Sequence, residues 1–261
     1  MYCDAVSLTL ILPTLNESQN IGTLIKQLLE VFSDLENFRI LVIDDLSTDG
    51  TQKEVEEIAN FNENVNLIIR SNPNGLTGAI KYGISIAQSD YIGWMDADGS
   101  MPAISMFKLW NATSNNTDLI VGSRFISGGG FKGVTEESNN IKTIYKNLRQ
   151  SNDSIIAMML SRILNQFLRL VLSNRVKDFT SGFIIIRKDK LNLSDIQGYY
   201  GEYCPVFLFK SLQRGLRILE VPYINLPRNF GVSKTGTNLP TLIRTGIPYI
   251  ISAIKVRLKI I

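Results

Sequence analysis

The feature that most constrains the fold is an alternation of short apolar runs with amphipathic runs through the first 100 residues. Four apolar runs are predicted to be strands: SLTLIL, FRILVIDD, VNLIIR and YIGWM. The segments between them carry apolar residues at helical spacing, as in NESQNIGTLIKQLLEVF. Strands that alternate with helices form parallel pairs with right-handed crossovers. The sequence therefore predicts an α/β fold, with a mostly parallel twisted sheet flanked by helices.

The alternation continues less regularly beyond residue 103. Helices are predicted at 103–115, at about 154–172 and in EYCPVFLFKSLQRG, and strands in DLIVGSRF, DFTSGFIIIRK and LRILEVPYINLP. Residues 127–152 are rich in Gly, Asn and Ser and are predicted to form a mobile loop. These patterns predict one domain over residues 1–236 and an amphipathic tail over 237–261.

The composition excludes several classes of chemistry. The chain has no histidine, which removes most hydrolase triads and histidine-based zinc sites. Cys3 and Cys204 form no CxxC pair, so we expect neither a disulfide framework nor a zinc site. The net charge of +3 is too small to indicate nucleic-acid binding. We find no secretory signal and no run of 18 apolar residues, and therefore expect a cytoplasmic protein without a membrane-spanning helix.

Two acidic pairs follow predicted strands. Asp96 and Asp98 come after YIGWM, and Asp44 and Asp45 end FRILVIDD. In an open parallel sheet, ligands bind beyond the carboxyl ends of the strands. Carboxylates held close together need a cation, and carboxylate oxygens suit Mg²⁺ or Mn²⁺ together with substrate phosphates. The pattern favours a nucleotide-sugar site, although an acidic turn exposed to solvent would give the same residues.

Three cations come later in the chain and are candidates for phosphate binding. Arg124 ends a strand, and Arg228 and Lys234 lie in LPRNFGVSK. Taken alone, each of them is better explained as a solvated surface charge than as a phosphate ligand. The GxGxxG match in GGGFKG, residues 128–133, precedes no apolar helix, and we interpret it as a flexible loop.

Seven segments in order resemble the family 2 glycosyltransferases of GT-A fold, and within them the polyprenol (dolichol)-phosphate mannose synthase group. The segments are LPTLNESQNI, LVIDDLSTDGT, NGLTGAIKYGI, WMDADGSMP, IVGSRFISGGG, VKDFTSGF and EVPYINLPRNFGVSKTG. They extend from about residue 8 to residue 236, nearly the whole chain. An isolated DxD is weak evidence, but seven segments in family order are specific.

The resemblance implies roles for individual residues. Nucleotide-sugar contacts would come from Pro13, Leu15, Glu17, Ile43, Asp44, Asp45, Asp96 and Ala97. Ligands of a Mg²⁺ or Mn²⁺ cofactor would be Asp96, Asp98 and Ser100, and the catalytic residues would be Asp96, Asp98 and Arg124. Donor or acceptor phosphate would be bound by Arg124, Asp178, Ser181, Arg228 and Lys234, with Gly182 in the same acceptor-side segment.

The chain departs from the family pattern at several positions. Leu15 stands where the family usually has a base-stacking Tyr, and Ser100, a weaker metal ligand, stands where the family often has Gln or Ser. Val206 replaces a helix acid that is common before the EVP segment. The basic acceptor segment is not clear, and only Lys146 and Arg149 are candidates for it.

The resemblance implies inverting transfer of a hexose, above all mannose from GDP-mannose, to a polyprenyl phosphate. Three alternatives stay open: a UDP-glucose or other UDP-sugar donor, a glycan or protein acceptor, and a non-catalytic binding module. The expected partners are a nucleotide-sugar donor, the lipid acceptor and a membrane surface. A separate membrane-spanning subunit is a further candidate partner, and nucleic acid is not expected to bind.

The tail carries an apolar stripe at helical spacing. Its members are Leu239, Leu242, Ile243, Gly246, Ile247, Ile250, Ile251, Ile254, Leu258 and Ile261. Packing against the rest of the protein would explain the stripe. We favour an interfacial helix with Lys255, Arg257 and Lys259 facing anionic headgroups, which predicts peripheral attachment to the cytoplasmic face of a membrane.

Overall fold

A seven-stranded sheet forms the centre of the computed structural model, which describes residues 6–131, 134–135, 155–226, 228, 230 and 239–261. Its strands are β1 (Leu8–Thr14), β2 (Phe38–Asp44), β3 (Val65–Ile69), β4 (Tyr91–Trp94), β5 (Leu119–Ser123), β8 (Ile184–Arg187) and β9 (Ile218–Pro222). They lie in the order β3-β2-β1-β4-β8-β5-β9. Neighbouring strands are parallel except at β8, which is antiparallel to both β4 and β5. The predicted mostly parallel α/β fold is confirmed.

Helices flank this sheet. They are α1 (Ser18–Val31), α2 (Thr51–Ala59), α3 (Gly75–Ile86), α4 (Ala103–Asn111), α5 (Ile155–Val171), α6 (Tyr203–Gln213) and α7 (Leu239–Arg257). Short 3₁₀ turns occur at Lys188–Lys190 and Leu193–Asp195. A small second sheet joins β6 (Gly130–Phe131), β7 (Val134–Thr135) and β10 (Ile224–Asn225). Part of the segment predicted as a mobile loop thus forms strands, and its residues 136–152 lie outside the described residues.

The sheet separates two hydrophobic clusters, and the alternation along β1 divides its residues between them. Leu10 and Leu12 pack with apolar residues of α1 and α4. Ile11 packs in the other cluster, with residues of α3, α5, α6 and α7. This is the period-two pattern of a strand buried on both faces. The helix predicted in the tail therefore contributes to the core, through Ala253 and Val256.

The segment DFTSGFIIIRK was predicted to be a strand throughout, but only Ile184–Arg187 forms β8. The preceding residues are held by side chains instead. Asn165 of α5 accepts a hydrogen bond from the Phe179 amide, and Glu220 of β9 accepts from the amide of Asp178. Because these backbone groups bond to side chains, they do not join a strand ladder.

The centre of the sheet leaves no room for a side chain at Gly93 of β4. A Cβ there would lie 2.6 Å from Leu10 Cδ2 and 3.1 Å from the Ile184 carbonyl oxygen. We expect Gly93→Ala to destabilise the protein by about 1–3 kcal/mol, the usual range for overpacking. Thermal unfolding should show a melting temperature lower by several degrees.

The control is Gly246→Ala in α7, where a Cβ would meet nothing within 4 Å. Alanine is the better helix former by about 1 kcal/mol, so this variant should match or slightly exceed the parent. Equal melting temperatures for Gly93→Ala and the parent would contradict the packing described for β4.

Candidate functional site

A cleft of about 570 Å³ opens at the carboxyl ends of β1, β2 and β4. The predicted site residues that line it are Pro13, Leu15, Glu17, Asp45, Asp96, Ala97, Asp98 and Arg228. Strand direction explains why they meet, because the parallel register aligns Pro13 with Ile43 and Ile11 with Trp94. The residues that follow each strand then project from the same edge of the sheet.

One arginine pairs with two acids of the cleft, Asp98 after β4 and Glu17 after β1. Arg228 Nη2 lies 2.9 Å from Asp98 Oδ2, and its Nη1 lies 3.7 Å from Glu17 Oε1. The other Asp98 oxygen accepts a hydrogen bond from the Ser100 amide at 2.9 Å. Asp98 and Glu17 are both buried, so this cation offsets charges that water screens poorly.

The carboxylates fit a divalent ion that also binds phosphate oxygens. Within the described residues, no three His, Cys, Asp or Glu side chains form a group that could hold a metal ion. Asp96 and Asp98 supply two carboxylates, and Mg²⁺ normally takes one or two of them together with substrate phosphates. Ser100 is buried and does not line the cleft, and its amide supports Asp98.

Two residues predicted to contact a nucleotide lie inside the protein. Ile43 belongs to the core, and Asp44 is fully buried. The Asp44 carboxylate accepts hydrogen bonds from Thr14 Oγ1, from the amide and hydroxyl of Ser47, and from Gln52 Nε2. Four donors occupy its two oxygens, so Asp44 fixes the turn between β2 and α2 and does not face the cleft.

Asp45 is held by an arginine that sequence reasoning missed. Arg70 Nε and Nη2 donate to the two Asp45 oxygens, each at 2.6 Å, and both side chains are buried. Arg70 also donates to the Asn74 side chain and the Gly75 carbonyl. The sequence contained a hint of this ion pair, because Asp45 directly follows β2 and Arg70 directly follows β3. The register that pairs Asp44 with Ile69 places the two side by side.

Arg124 and the buried Asp178 form a second ion pair, which does not line the cleft. Arg124 Nε and Nη2 donate to the Asp178 oxygens at 2.8 and 2.9 Å, and Nη2 also donates to Thr180. The guanidinium lies 5.3 Å from the centre of the Phe131 ring. Burial disfavours its charge, but the Asp178 carboxylate raises the pKa of Arg124 above its ordinary value. Ser181, which directly follows Thr180 in the sequence, is also buried.

Glu220 of β9 supports this pair and was also missed. Its carboxylate accepts hydrogen bonds from the amides of Lys177 and Asp178 at 2.8 and 3.0 Å. Burial raises the pKa of Glu220. The carboxylate thereby fixes the backbone that presents Asp178 to Arg124. Its place in the EVP segment was visible in the sequence, but its hydrogen bonds were not.

Besides the start of α3, which contributes Gly75, Leu76 and Ala79, two further segments line the cleft without having been predicted. One precedes α6 and contributes Tyr199, Tyr200 and Glu202. Glu202 accepts from the amides of both tyrosines, and burial together with Asp96 raises the pKa of Tyr200 to about 12. The other is the first half of α7, which contributes Thr241, Arg244, Thr245 and Pro248.

The placement of α7 explains why its part in the cleft was missed. Tyr249 packs over Gly201, where a Cβ would lie 2.0 Å from the Tyr249 hydroxyl. Ala253 and Val256 are buried beside it. These contacts join α7 to α5 and α6, whereas the sequence suggested a tail separate from the domain. Lys234, Lys146 and Arg149 lie outside the described residues.

Comparison with known families and sequences identifies related proteins. The model of glycosyl transferase family 2 matches residues 9–193, more than half of the chain. A polyprenol monophosphomannose synthase of Mycolicibacterium smegmatis is 27% identical, over 88% of this chain and 81% of its own length. A dolichol-phosphate mannosyltransferase of Pyrococcus furiosus is also 27% identical, over 88% of this chain but only 58% of its own length.

Solved structures share the fold. Glucosyl-3-phosphoglycerate synthase from Mycobacterium tuberculosis, crystallised with Mn²⁺, uridine diphosphate and its product, has a TM-score of 0.66 at 18% identity. The match covers 97% of this chain and 80% of that one. Mannosyl-3-phosphoglycerate synthase from Rubrobacter xylanophilus matches with a TM-score of 0.64 at 14% identity, over 97% of this chain and 74% of its own. The predicted GT-A fold is confirmed.

Substitution of Arg70 tests whether this arginine is the counter-ion that stabilises the buried Asp45 carboxylate. Arg70→Met leaves the buried Asp45 carboxylate without its counter-ion, and losing one member of such a pair costs roughly 3–5 kcal/mol. We expect that loss in the free energy of unfolding measured by urea titration. Adding Asp45→Asn should recover part of it, since the stranded charge is then removed.

The matched control is Arg187→Met. Arg187 also ends a strand and pairs with an aspartate, Asp189, but both side chains are substantially exposed. Its loss should cost less than about 1 kcal/mol. If the two arginine variants were equally stable, Arg70 would not be the internal counter-ion of Asp45.

Proposed function

The chain belongs to glycosyl transferase family 2, and from this premise we propose that it transfers a hexose from a nucleotide sugar to a polyprenyl phosphate. Mannose from GDP-mannose is the donor we favour, because the two relatives described above are named as polyprenol and dolichol phosphate mannosyltransferases. A UDP-sugar is the alternative donor. Leu15, at the position of the usual base-stacking tyrosine, leaves the choice of base to experiment.

The observation that carries the proposal is that α7 contributes residues both to the lining of the cleft and to an exposed apolar surface. Its inner residues line the cleft, as described above. On another side of the same helix, five large aliphatic residues are exposed: Ile243, Ile247, Ile251, Ile254 and Leu258. At about 100° per residue they fall within an arc of about 80°. An acceptor with a charged head and a long apolar chain needs both kinds of surface next to each other.

We infer that this apolar face lies on a membrane. Met159, Ile163 and Leu170 of the adjacent helix α5 are also exposed, and Lys255 of α7 and Lys259, which follows the helix, add exposed positive charge. An apolar stripe with cations beside it suits the boundary between lipid chains and anionic headgroups. Arg257 differs from its prediction, because its guanidinium lies 6.0 Å above the Phe209 ring of α6. Among the described helices none has the length and apolarity to cross a bilayer.

The chemistry would be a single displacement. An oxygen of the acceptor phosphate attacks the anomeric carbon, and the bond from that carbon to the nucleoside diphosphate breaks, with its electron pair leaving on the diphosphate. Attack opposite the leaving group inverts the anomeric centre. A phosphate near neutral pH is already anionic and needs little help from a general base, which suits a chain without histidine.

The leaving diphosphate develops charge that the site must offset. A divalent ion bound by Asp96 and Asp98 would supply that charge stabilisation. Arg228 lies beside Asp98 and would add a cation there, and Glu17 and Asp45 would contact the nucleotide. We retain Arg124, Asp178, Ser181 and Lys234 as candidates for the acceptor side, with Arg124 held by Asp178.

The donor is tested by thermal-shift measurements on the full chain with GDP-mannose, UDP-glucose and UDP-GlcNAc, each with Mn²⁺. A ligand that binds the native state raises the melting temperature as its concentration exceeds Kd. The nucleotide sugar with the largest shift is then assayed for transfer to polyprenyl phosphate. Binding without transfer to any lipid phosphate would leave the glycan acceptor or the binding module.

We expect Asp98→Asn to lower transfer by at least about a hundredfold, because it removes a carboxylate charge that would hold the divalent ion beside the developing diphosphate. The change preserves side-chain volume and the acceptor for the Ser100 amide. Circular dichroism should therefore show an intact fold. EDTA should inactivate the parent, and Mn²⁺ should restore its activity. Asp34→Asn, at an exposed position in the loop after α1, is the control. Full activity of the parent in EDTA would exclude the metal role.

Attachment to membranes is tested with liposome flotation. The double substitution Ile251→Glu and Ile254→Glu places charge on the exposed face of α7. Burying one such side chain is worth about 1.5–3 kcal/mol, so bound protein should fall at least tenfold on anionic liposomes. Phe61→Glu is the control, since Phe61 is 92% exposed and lies after α2. The proposal fails if all three proteins float equally, or if the parent does not float.

A further inference from the structure

Arg244 stands at the border between the two surfaces of α7. Taking Ile243 as the origin of the helical wheel, the exposed aliphatic residues span about 0–80°, and Arg244 lies at about 100°. The other cleft-lining residues of this helix follow at about 140–200°, and the buried Ala253 and Val256 at about 220–280°. Arg244 is thus the residue of α7 that adjoins the cleft on one side and the apolar face on the other.

The charges of the cleft give Arg244 a task that no other described residue there can perform. Five acids line the cleft: Glu17, Asp45, Asp96, Asp98 and Glu202. Two arginines, Arg228 and Arg244, line the cleft with them, and Asp45 is already paired with Arg70. Arg228 is committed to Asp98 and Glu17. Within the described part of the chain, no carboxylate lies within ion-pair distance of Arg244. An anionic acceptor approaching this acidic cleft would be repelled unless a cation received it.

We propose that Arg244 binds the phosphate of the acceptor as it enters the cleft from the apolar face of α7. The inference rests on the proposed function and adds the residue that receives the second substrate. A phosphomonoester on a long apolar chain is the ligand that matches the position, because its chain can lie along the aliphatic stripe while its head reaches the guanidinium. The donor diphosphate would lie beside Asp96 and Asp98, which line the same cleft.

The chemistry of the side chain supports this role. A guanidinium offers a planar fork of donors that can bind two phosphate oxygens at once, and it keeps its charge at every pH of interest. The exposure of Arg244 leaves the side chain accessible to a ligand that arrives from outside the cleft. Lysine would keep the charge but lose the fork, so the two properties can be separated by substitution.

The test compares Arg244→Gln, Arg244→Lys and Arg39→Gln in the full chain. Arg39 is an exposed arginine of β2 at the opposite end of the sheet, and its variant should behave as the parent. Removing one charge-assisted contact should raise the KM for polyprenyl phosphate about 10–100-fold in Arg244→Gln. The KM for the nucleotide sugar should stay within about twofold, and Arg244→Lys should be intermediate. Flotation on liposomes should be unchanged.

A binding measurement makes the result independent of turnover. Calorimetric titration uses farnesyl phosphate, farnesol and inorganic phosphate as ligands, with the parent and Arg244→Gln. Weaker binding of farnesyl phosphate to the variant supports the proposal. Equal binding to both proteins, or no binding to the parent, overturns it. If inorganic phosphate binds as tightly as farnesyl phosphate, the site is a general phosphate site and the assignment to a lipid acceptor is wrong.

The two levels of the proposal fail in different ways. Transfer to polyprenyl phosphate by the parent, with an unchanged acceptor KM in Arg244→Gln, overturns the role of Arg244 alone. A raised KM for the nucleotide sugar in that variant also overturns it, since Arg244 would then serve the donor. Transfer by the parent to a glycan, with none to a lipid phosphate, overturns the proposed function and the role of Arg244 together.

Discussion

Buried carboxylates at the ends of parallel strands are the constraint on which the architecture of the site depends. A parallel sheet brings the residues after β1, β2 and β4 to one edge, and in this chain many of those residues are acids. A buried carboxylate without a partner costs several kcal/mol, so each acid must be met by a cation or by backbone amides. Asp45 has Arg70, Asp98 has Arg228 and the Ser100 amide, and Asp44 has four donors around its turn.

These partners come from distant parts of the chain, and this is how the second half of the sequence becomes part of the site. Arg228 follows β10, and the nearby Leu226 amide donates to the Ser100 carbonyl at 2.8 Å, which fixes the segment against the loop after β4. A divalent ion and Arg228 would compete for the same Asp98 oxygen. In the proposed function the donor diphosphate would offer the guanidinium a new anionic partner, which would leave the Asp98 carboxylate available to hold the metal ion.

The sequence predicted the elements whose pattern is local. Periodicity located the strands and helices of the first 100 residues, and the DxD after YIGWM marked the edge where the cleft lies. Periodicity could not predict that β8 is antiparallel to its neighbours, because a four-residue apolar run has the same pattern in a parallel and in an antiparallel strand. The pair of Arg70 with Asp45 depended on register, which becomes readable only when β2 and β3 are known to be neighbours.

Helix α7 shows why an apolar stripe alone does not reveal what a helix does. A stripe predicts one buried face and one polar face, whereas α7 has a packed face, a cleft face and an exposed apolar face. Ala253 and Val256, which anchor it in the core, lay outside the stripe seen in the sequence. The residues of that stripe with the largest exposed area instead lie on the face that packs against nothing in the described part of the chain. Because Tyr249, Ala253 and Val256 dock the helix, it can hold Arg244 at the cleft while its aliphatic face engages lipid, so that phosphate and prenyl chain would be recognised by one element.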